Sequence, residues 1–295
     1  MSHKYIIILL LVIWLVNCTE NPLSNDDDNK IEKEKISGKV ILDDGTSSDG
    51  IFVWLQGFNL NTLTDENGKF EIKLPLPENQ NGGSGNTGKF TLYFFMSNYQ
   101  SSTIDIEFAN GKILEEQDNI TNSGKLRDND TLFALFNCKG LLSEEEDTDE
   151  LLLKFDRDTV KAKFLFQFDV FDNSAQVFSL RQDRVPSNHG FFRTGIIFEP
   201  VDKDHDMVLV KTSKAQLDYD ALSSNSTIYW SLDSLLYKND FEEIEYLVSP
   251  YITVDHPELP VEFWDALGRE KLEFTSAYLE YPIKIKKDKI KVVKY

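Results

Sequence analysis

Cysteines, histidines and clustered carboxylates are the groups in this chain that could do chemistry, and their spacing decides which chemistry is open to them. There are two cysteines, Cys18 and Cys138. Cys18 ends the apolar run Tyr5 to Val16, which places its thiol for modification at a membrane rather than for catalysis. Cys138 closes the strand-like run Leu132-Phe133-Ala134-Leu135-Phe136-Asn137-Cys138 and reads as a small buried hydrophobe. A catalytic thiol needs a base beside it, and His189, His205 and His256 form no pairing pattern. Asp202-Lys203-Asp204-His205-Asp206 has the alternating spacing of a calcium loop. Met207 then stands where such a loop needs glycine, and Ser213 where it needs a bidentate glutamate. The segment therefore reads as a turn carrying an exposed histidine. The zinc-peptidase spacing, the nucleophile elbow, the P-loop and the dinucleotide glycine fingerprint do not occur. The sequence thus assigns no catalytic, cofactor-binding or metal residue. Asp26-Asp27-Asp28 and the acidic run Glu144 to Glu150 read as solvated segments. Trp54, Trp230 and Trp264 could stack on sugars, but core packing is the commoner fate of single tryptophans in β-proteins.

Composition narrows the partners. The 295 residues carry a formal net charge of -19, which repels the phosphate backbone and argues against nucleic acid. Hydrophobic residues make up 41%, enough for a large core, and the 21 Phe and 11 Tyr favour strands. The expected fold class is all-β: an N-terminal sandwich, then a second β-rich, sandwich-like domain with one or two short helices.

Met1-Ser2-His3-Lys4 gives the N-terminus a basic start, and Tyr5 to Val16 has the length of a signal-peptide core. A span across a bilayer takes about 20 residues. Leu15-Val16-Asn17-Cys18 resembles the lipobox of bacterial lipoproteins, with Asn17 where that pattern prefers Gly, Ala or Ser. The resemblance implies cleavage after residue 17, lipid attachment at Cys18, and anchoring by several acyl chains together. Thr19 stands where an inner-membrane retention Asp would be, which favours the outer membrane. Residues 18–35 are polar and charged and read as a flexible tether.

From residue 36 to 116 short strands alternate with turns. Ile51, Val53 and Leu55 share one face. Phe70, Ile72 and Leu74 alternate with Lys69, Glu71 and Lys73, one face buried and one wet. Asn67-Gly68 reads as a hairpin turn with both central residues at positive φ. Phe90 to Phe95 and Ser102 to Phe108 are further strands, and Gln80 to Gly88 is a surface loop. Gly38-Lys39-Val40, Asp49-Gly50-Ile51-Phe52-Val53, Thr64-Asp65-Glu66-Asn67-Gly68-Lys69-Phe70 and Asn98-Tyr99 resemble the carboxypeptidase regulatory-like domain. The match covers about a quarter of the chain and implies a transthyretin-like β-sandwich without an active site of its own.

Residues 117–130 read as a linker, and 131–295 as a β-rich domain with no resemblance to a known family. Thr159 to Phe171 puts Val160, Ala162, Phe164, Phe166 and Phe168 on one side, with a return strand expected over Ala175 to Leu180. Gly195 to Phe198, Met207 to Lys211 and Ile244 to Val254 are further strands; Leu232 to Tyr237 and Leu259 to Leu267 are expected helices. Ile283 to Lys294 alternates Lys with Ile and Val and is expected as a terminal edge strand. The function expected from this reading is a membrane-tethered cell-envelope lipoprotein without catalysis or cofactor. It would meet the membrane through lipid on Cys18 and bind an unknown protein or carbohydrate. A hydrolase with an unrecognised site in the C-terminal region, or a structural spacer, are the alternatives.

Overall fold

A computed structural model describes residues 35–80, 85–114, 117–142, 151–171, 177–178, 195–211, 214–218, 226–254 and 256–295. The chain is all-β, as its alternation patterns require. Cys18, residues 18–34 of the tether, the acidic run 144–150 and His189 lie outside the described residues, while Lys35 already belongs to the first strand.

The first sandwich faces a three-stranded sheet against a five-stranded one. The smaller sheet runs β4 (Lys69–Lys73), β1 (Lys35–Leu42), β8 (Asp130–Leu132). The larger runs β3 (Leu60–Leu63), β2 (Phe52–Leu55), β5 (Gly88–Phe95), β6 (Ser102–Ala109), β7 (Lys112–Ile113). In β4, Phe70 and Ile72 are buried while Lys69, Glu71 and Lys73 are exposed, so the predicted period-two pattern sets its register. Ile36, Val40, Val53, Leu55, Leu92 and Phe94 fill the space between the sheets.

The turn from Thr64 to Phe70 shows why the motif there has its composition. Thr64 Oγ1 accepts from Ile51 N at 2.9 Å and donates to Ser48 O. Asp65 Oδ1 accepts from Asn67 N at 2.9 Å and Lys69 N at 2.8 Å, an Asx turn. Of the Asn67-Gly68 pair only Gly68 has positive φ, +75°. The expected hairpin with both central residues left-handed is therefore corrected. β3 and β4 belong to different sheets, and the Asp65 carboxylate shapes the turn instead. A Cβ on Gly68 would lie 2.0 Å from Val40 O, so the position admits no side chain.

Residues 117–130 are no free linker. Ile120 and Leu126 are buried in the first core, Lys125 bridges to Ser37, and β8 pairs in parallel with β1. The apolar Ile120 and Leu126 within an otherwise polar stretch supply the reason. The passage to the second sandwich is then Phe133-Ala134-Leu135, between Leu132 and Phe136.

In the second sandwich one sheet runs β15 (Lys214–Asp218), β16 (Ser226–Tyr237), β11 (Thr159–Val170), β9 (Phe136–Leu142). The other runs β10 (Leu151–Phe155), β19 (Asp288–Lys294), β17 (Glu245–Pro250), β13 (Gly195–Pro200), β14 (Val208–Lys211). Phe164, Phe166, Phe168 and Val170 of β11 point inward against Phe198, Trp230 and Leu232, as the alternation predicts.

Three expectations fail here. Leu232 to Tyr237 is strand, part of the twelve-residue β16. The spacing of Leu232, Leu235 and Leu236 mimics a helix, yet Trp230, Leu232, Ser234 and Leu236 alternate inward while Leu235 is exposed. β11 is flanked by β16 and β9, while Val177–Phe178 (β12) pairs with Thr253–Val254 (β18), so the expected hairpin at 159–180 does not form. β19 is not an edge: it pairs in parallel with β10 and antiparallel with β17. The expected helix near 259–267 is α1 (Val261–Leu267), ended by Gly268.

Candidate functional site: the domain junction

A sheet normally covers one face with core and leaves the other to water. β2 and β5 do not. Val53 and Leu55, with Leu92 and Phe94, face the first core. Phe52, Trp54 and Phe95 face the opposite way, into a third core shared with Ile197, Tyr251, Leu259, Phe263, Leu267, Tyr278 and Tyr281 of the second sandwich. Phe263 is the hub. Its ring lies 5.4 Å from Phe52, 5.7 Å from Trp54 and 5.1 Å from Phe95, all near edge-to-face. Helix α1 exists in order to place it: Pro260 precedes the helix, and Phe263 and Leu267 share its buried side.

Polar groups lock the rim of this core. Met96 to Tyr99 form a tight turn, Tyr99 N donating to Met96 O at 2.8 Å. Ser97 and Asn98 at its centre are both fully buried. The Asn98 amide donates to Phe136 O at 3.2 Å and Lys284 O at 3.1 Å, and its carbonyl accepts from Lys284 N at 2.9 Å. That side chain therefore has the partners a strand would give it, all from the second sandwich or its entry. Ser97 N donates to Pro282 O at 2.7 Å, and Tyr281 Oη donates to Ser97 Oγ at 2.8 Å. Burial pushes the phenols of Tyr278 and Tyr281 well up, so both stay neutral donors. Tyr99 Oη donates to Asp44 at 2.9 Å, and Ala134 N to Asp43 at 2.9 Å, pinning the three-residue passage. Asn98-Tyr99, a carrier of the sequence resemblance, thus also ties the junction together.

The remaining candidate residues stand apart from one another. Cys138 is buried, and burial pushes its thiol up to about 12, an inert state. Asp202 to Asp206 form a turn in which Asp204 N donates to Asp202 Oδ1 at 3.1 Å, and His205 Nδ1 lies 3.6 Å from Asp202. Among the described residues no group of three or more His, Cys, Asp or Glu side chains is arranged to hold a metal ion. Trp54 and Trp230 are core residues, and Trp264 packs on the junction. Gln80 is buried rather than part of a loose loop, donating to Pro75 O and Gly111 O at 2.9 Å each. Ile197, Tyr278, Tyr281 and Lys287 help line a pocket of ≈ 50 Å³. Sites for drug-sized ligands take about 300 Å³ or more.

Sequence reading missed the junction, although a signal was present. Ile51-Phe52-Val53-Trp54-Leu55 and Leu92-Tyr93-Phe94-Phe95 are apolar on both faces, the pattern of strands covered twice.

No protein-family model matches the chain, and no curated protein matches it. Among solved structures it is similar to BcpA, the major pilin subunit of Bacillus cereus, at 9% identity and a TM-score of 0.22. The match covers 75% of this chain and 66% of the pilin, just under two thirds of its length. A likeness at that level carries no argument about activity or partners.

Proposed function

We propose that this chain is a cell-envelope lipoprotein, tethered through lipid on Cys18, whose two sandwiches act as one non-catalytic interaction body. The observation that carries the reading is the junction: β2 and β5 bury both faces, and the sandwiches share a core. Such a body holds a surface at a fixed geometry at the end of the polar tether 18–35. The shared core keeps it from flexing within itself. The first sandwich is read as a carboxypeptidase regulatory-like scaffold on the strength of its Thr64 to Phe70 turn.

The surface favoured for a protein or carbohydrate partner is the outer face of β16. Tyr229, Leu235 and Tyr237 are exposed there, opposite Gln167, Lys161 and Thr159 of β11. Aromatic and aliphatic groups alternating with polar ones on an open sheet face suit recognition better than catalysis.

Cys18→Ala tests the anchor. The variant is expected in the soluble fraction of gently lysed cells while the unaltered chain sediments with membranes. Unchanged membrane retention would reject the lipid assignment.

A further inference from the structure

His256 lies at the rim of the junction and is 3% exposed. Its Nε2 is 2.9 Å from Ser97 O, across the junction, and its Nδ1 is 2.9 Å from Glu258 Oε1. A backbone carbonyl can only accept. Glu258 is likewise an acceptor: burial opposes its ionisation, but hydrogen bonds from His256 and Ser101 outweigh that and hold it down to about 2. Ser101 Oγ, on the first sandwich, donates to the same Glu258 oxygen at 2.6 Å. Both ring nitrogens therefore face oxygens that need a proton from them. An imidazolium supplies two N–H donors and a neutral imidazole one.

We propose that His256 is a proton-operated latch between the two sandwiches. Charged, it ties the segment 256–258 to Ser97 directly and to Ser101 through Glu258. Neutral, it turns a lone pair toward an oxygen 2.9 Å away, gives up one of these links, and loosens the rim of the junction.

The groups around the ring leave the control with the histidine. From the first sandwich they are uncharged: the Ser97 carbonyl, the Ser101 hydroxyl beyond Glu258, and the Phe95 ring at 5.0 Å, edge-on. From the second, Tyr281 reaches the same Ser97 and is kept neutral by burial. Glu258 carries the opposing charge. The Asp130 carboxyl, pushed up by burial, is bonded to Ser102. The sign follows. With both ring protons the two links are made together; with one proton only one of them can be.

The test uses the full chain labelled with ¹⁵N in histidine, from about pH 5 to about pH 9, the range in which imidazoles change charge. Ring-nitrogen shifts report the protonation of His256. Hydrogen exchange at Ser97 and Lys284, corrected for intrinsic base catalysis, reports the junction. Loss of the ring proton is expected to cut protection at those two amides by about tenfold or more, the worth of a hydrogen bond to a charged group, and to leave Phe166 in the second core unchanged. His256→Gln is expected to show low junction protection at every pH and no step, although Asp130 is retained. A ring that is neutral throughout, a ring that deprotonates without loss of protection, or a step that survives in His256→Gln would each overturn the latch. If His256→Gln does not fold, the two readings on the unaltered chain still decide it. Cys18 takes no part in these readouts, so failure of the lipid anchor and failure of the latch are separable.

Discussion

The two sandwiches reach one architecture by different routes. The first is stitched mostly locally, with the parallel pairing of β8 and β1 its long closure. β2 pairs with β3, β5 with β6 and β6 with β7, each across a short connection, and single side chains such as Asp65 and Thr64 shape the turns. The second is closed over long range. Leu151 to Phe155 pair with Ile290 to Lys294, so the last strand in sequence inserts between two earlier ones. Its centre is the twelve-residue register of β11 with β16, and its interior is rich in aromatic rings. The difference shows that turn chemistry can specify a sandwich where strands are short, while long strands need only alternation and a partner. Long-range closure is the slower route, because loop entropy is spent before the contacts form.

The sharpest way to break this contrast is at the place where the two halves meet. Phe263→Ala removes the ring that Phe52, Trp54 and Phe95 surround and is expected to destabilise by about 4 kcal/mol. In thermal unfolding followed by calorimetry the unaltered chain should melt as one unit and the variant as two. Two transitions in the unaltered chain would show that the halves are only neighbours. Next in size is Gly68→Ala, a change of one methyl in the locally stitched half. A left-handed alanine whose Cβ meets Val40 O is expected to cost about 3 kcal/mol by urea titration. A cost near zero would mean that turn chemistry does not specify the first sandwich. The smallest effect is expected in the second core. Phe166→Leu keeps most of the apolar volume among neighbouring rings and should cost about 1 kcal/mol in the same titration. A loss as large as that of Gly68→Ala would make the second half as sensitive to one position as the first, and the contrast would fall.

Much of the fold was legible residue by residue. The alternation of Phe70, Ile72 and Leu74, and that of Val160 to Phe168, placed the buried faces correctly, because a strand's period depends on its own backbone alone. The Thr64 to Phe70 motif marked a tight turn, although the Asp65 carboxylate, rather than a pair of left-handed residues, supplies its shape. Leu232 to Tyr237 misled, because leucines three and four apart fit a helix as well as one strand exposing a single leucine. Two short signals were passed over: Ile120 and Leu126 in a polar stretch, and the doubly apolar β2 and β5. Each said that something would be covered without saying by what.

By itself, then, the sequence determined the strand class, the inward faces, the turn at Gly68 and the helix before Gly268, all consequences of backbone geometry within a few residues. Only the tertiary structure decided that β19 lies inside its sheet, that residues 117–132 belong to the first sandwich, and that Asn98, His256 and Phe263 meet across one junction. Those pairings join positions far apart in the chain, from Asn98 to Lys284 for example. Their energy comes from excluding water and from hydrogen bonds made between two surfaces, and neither surface alone encodes its partner.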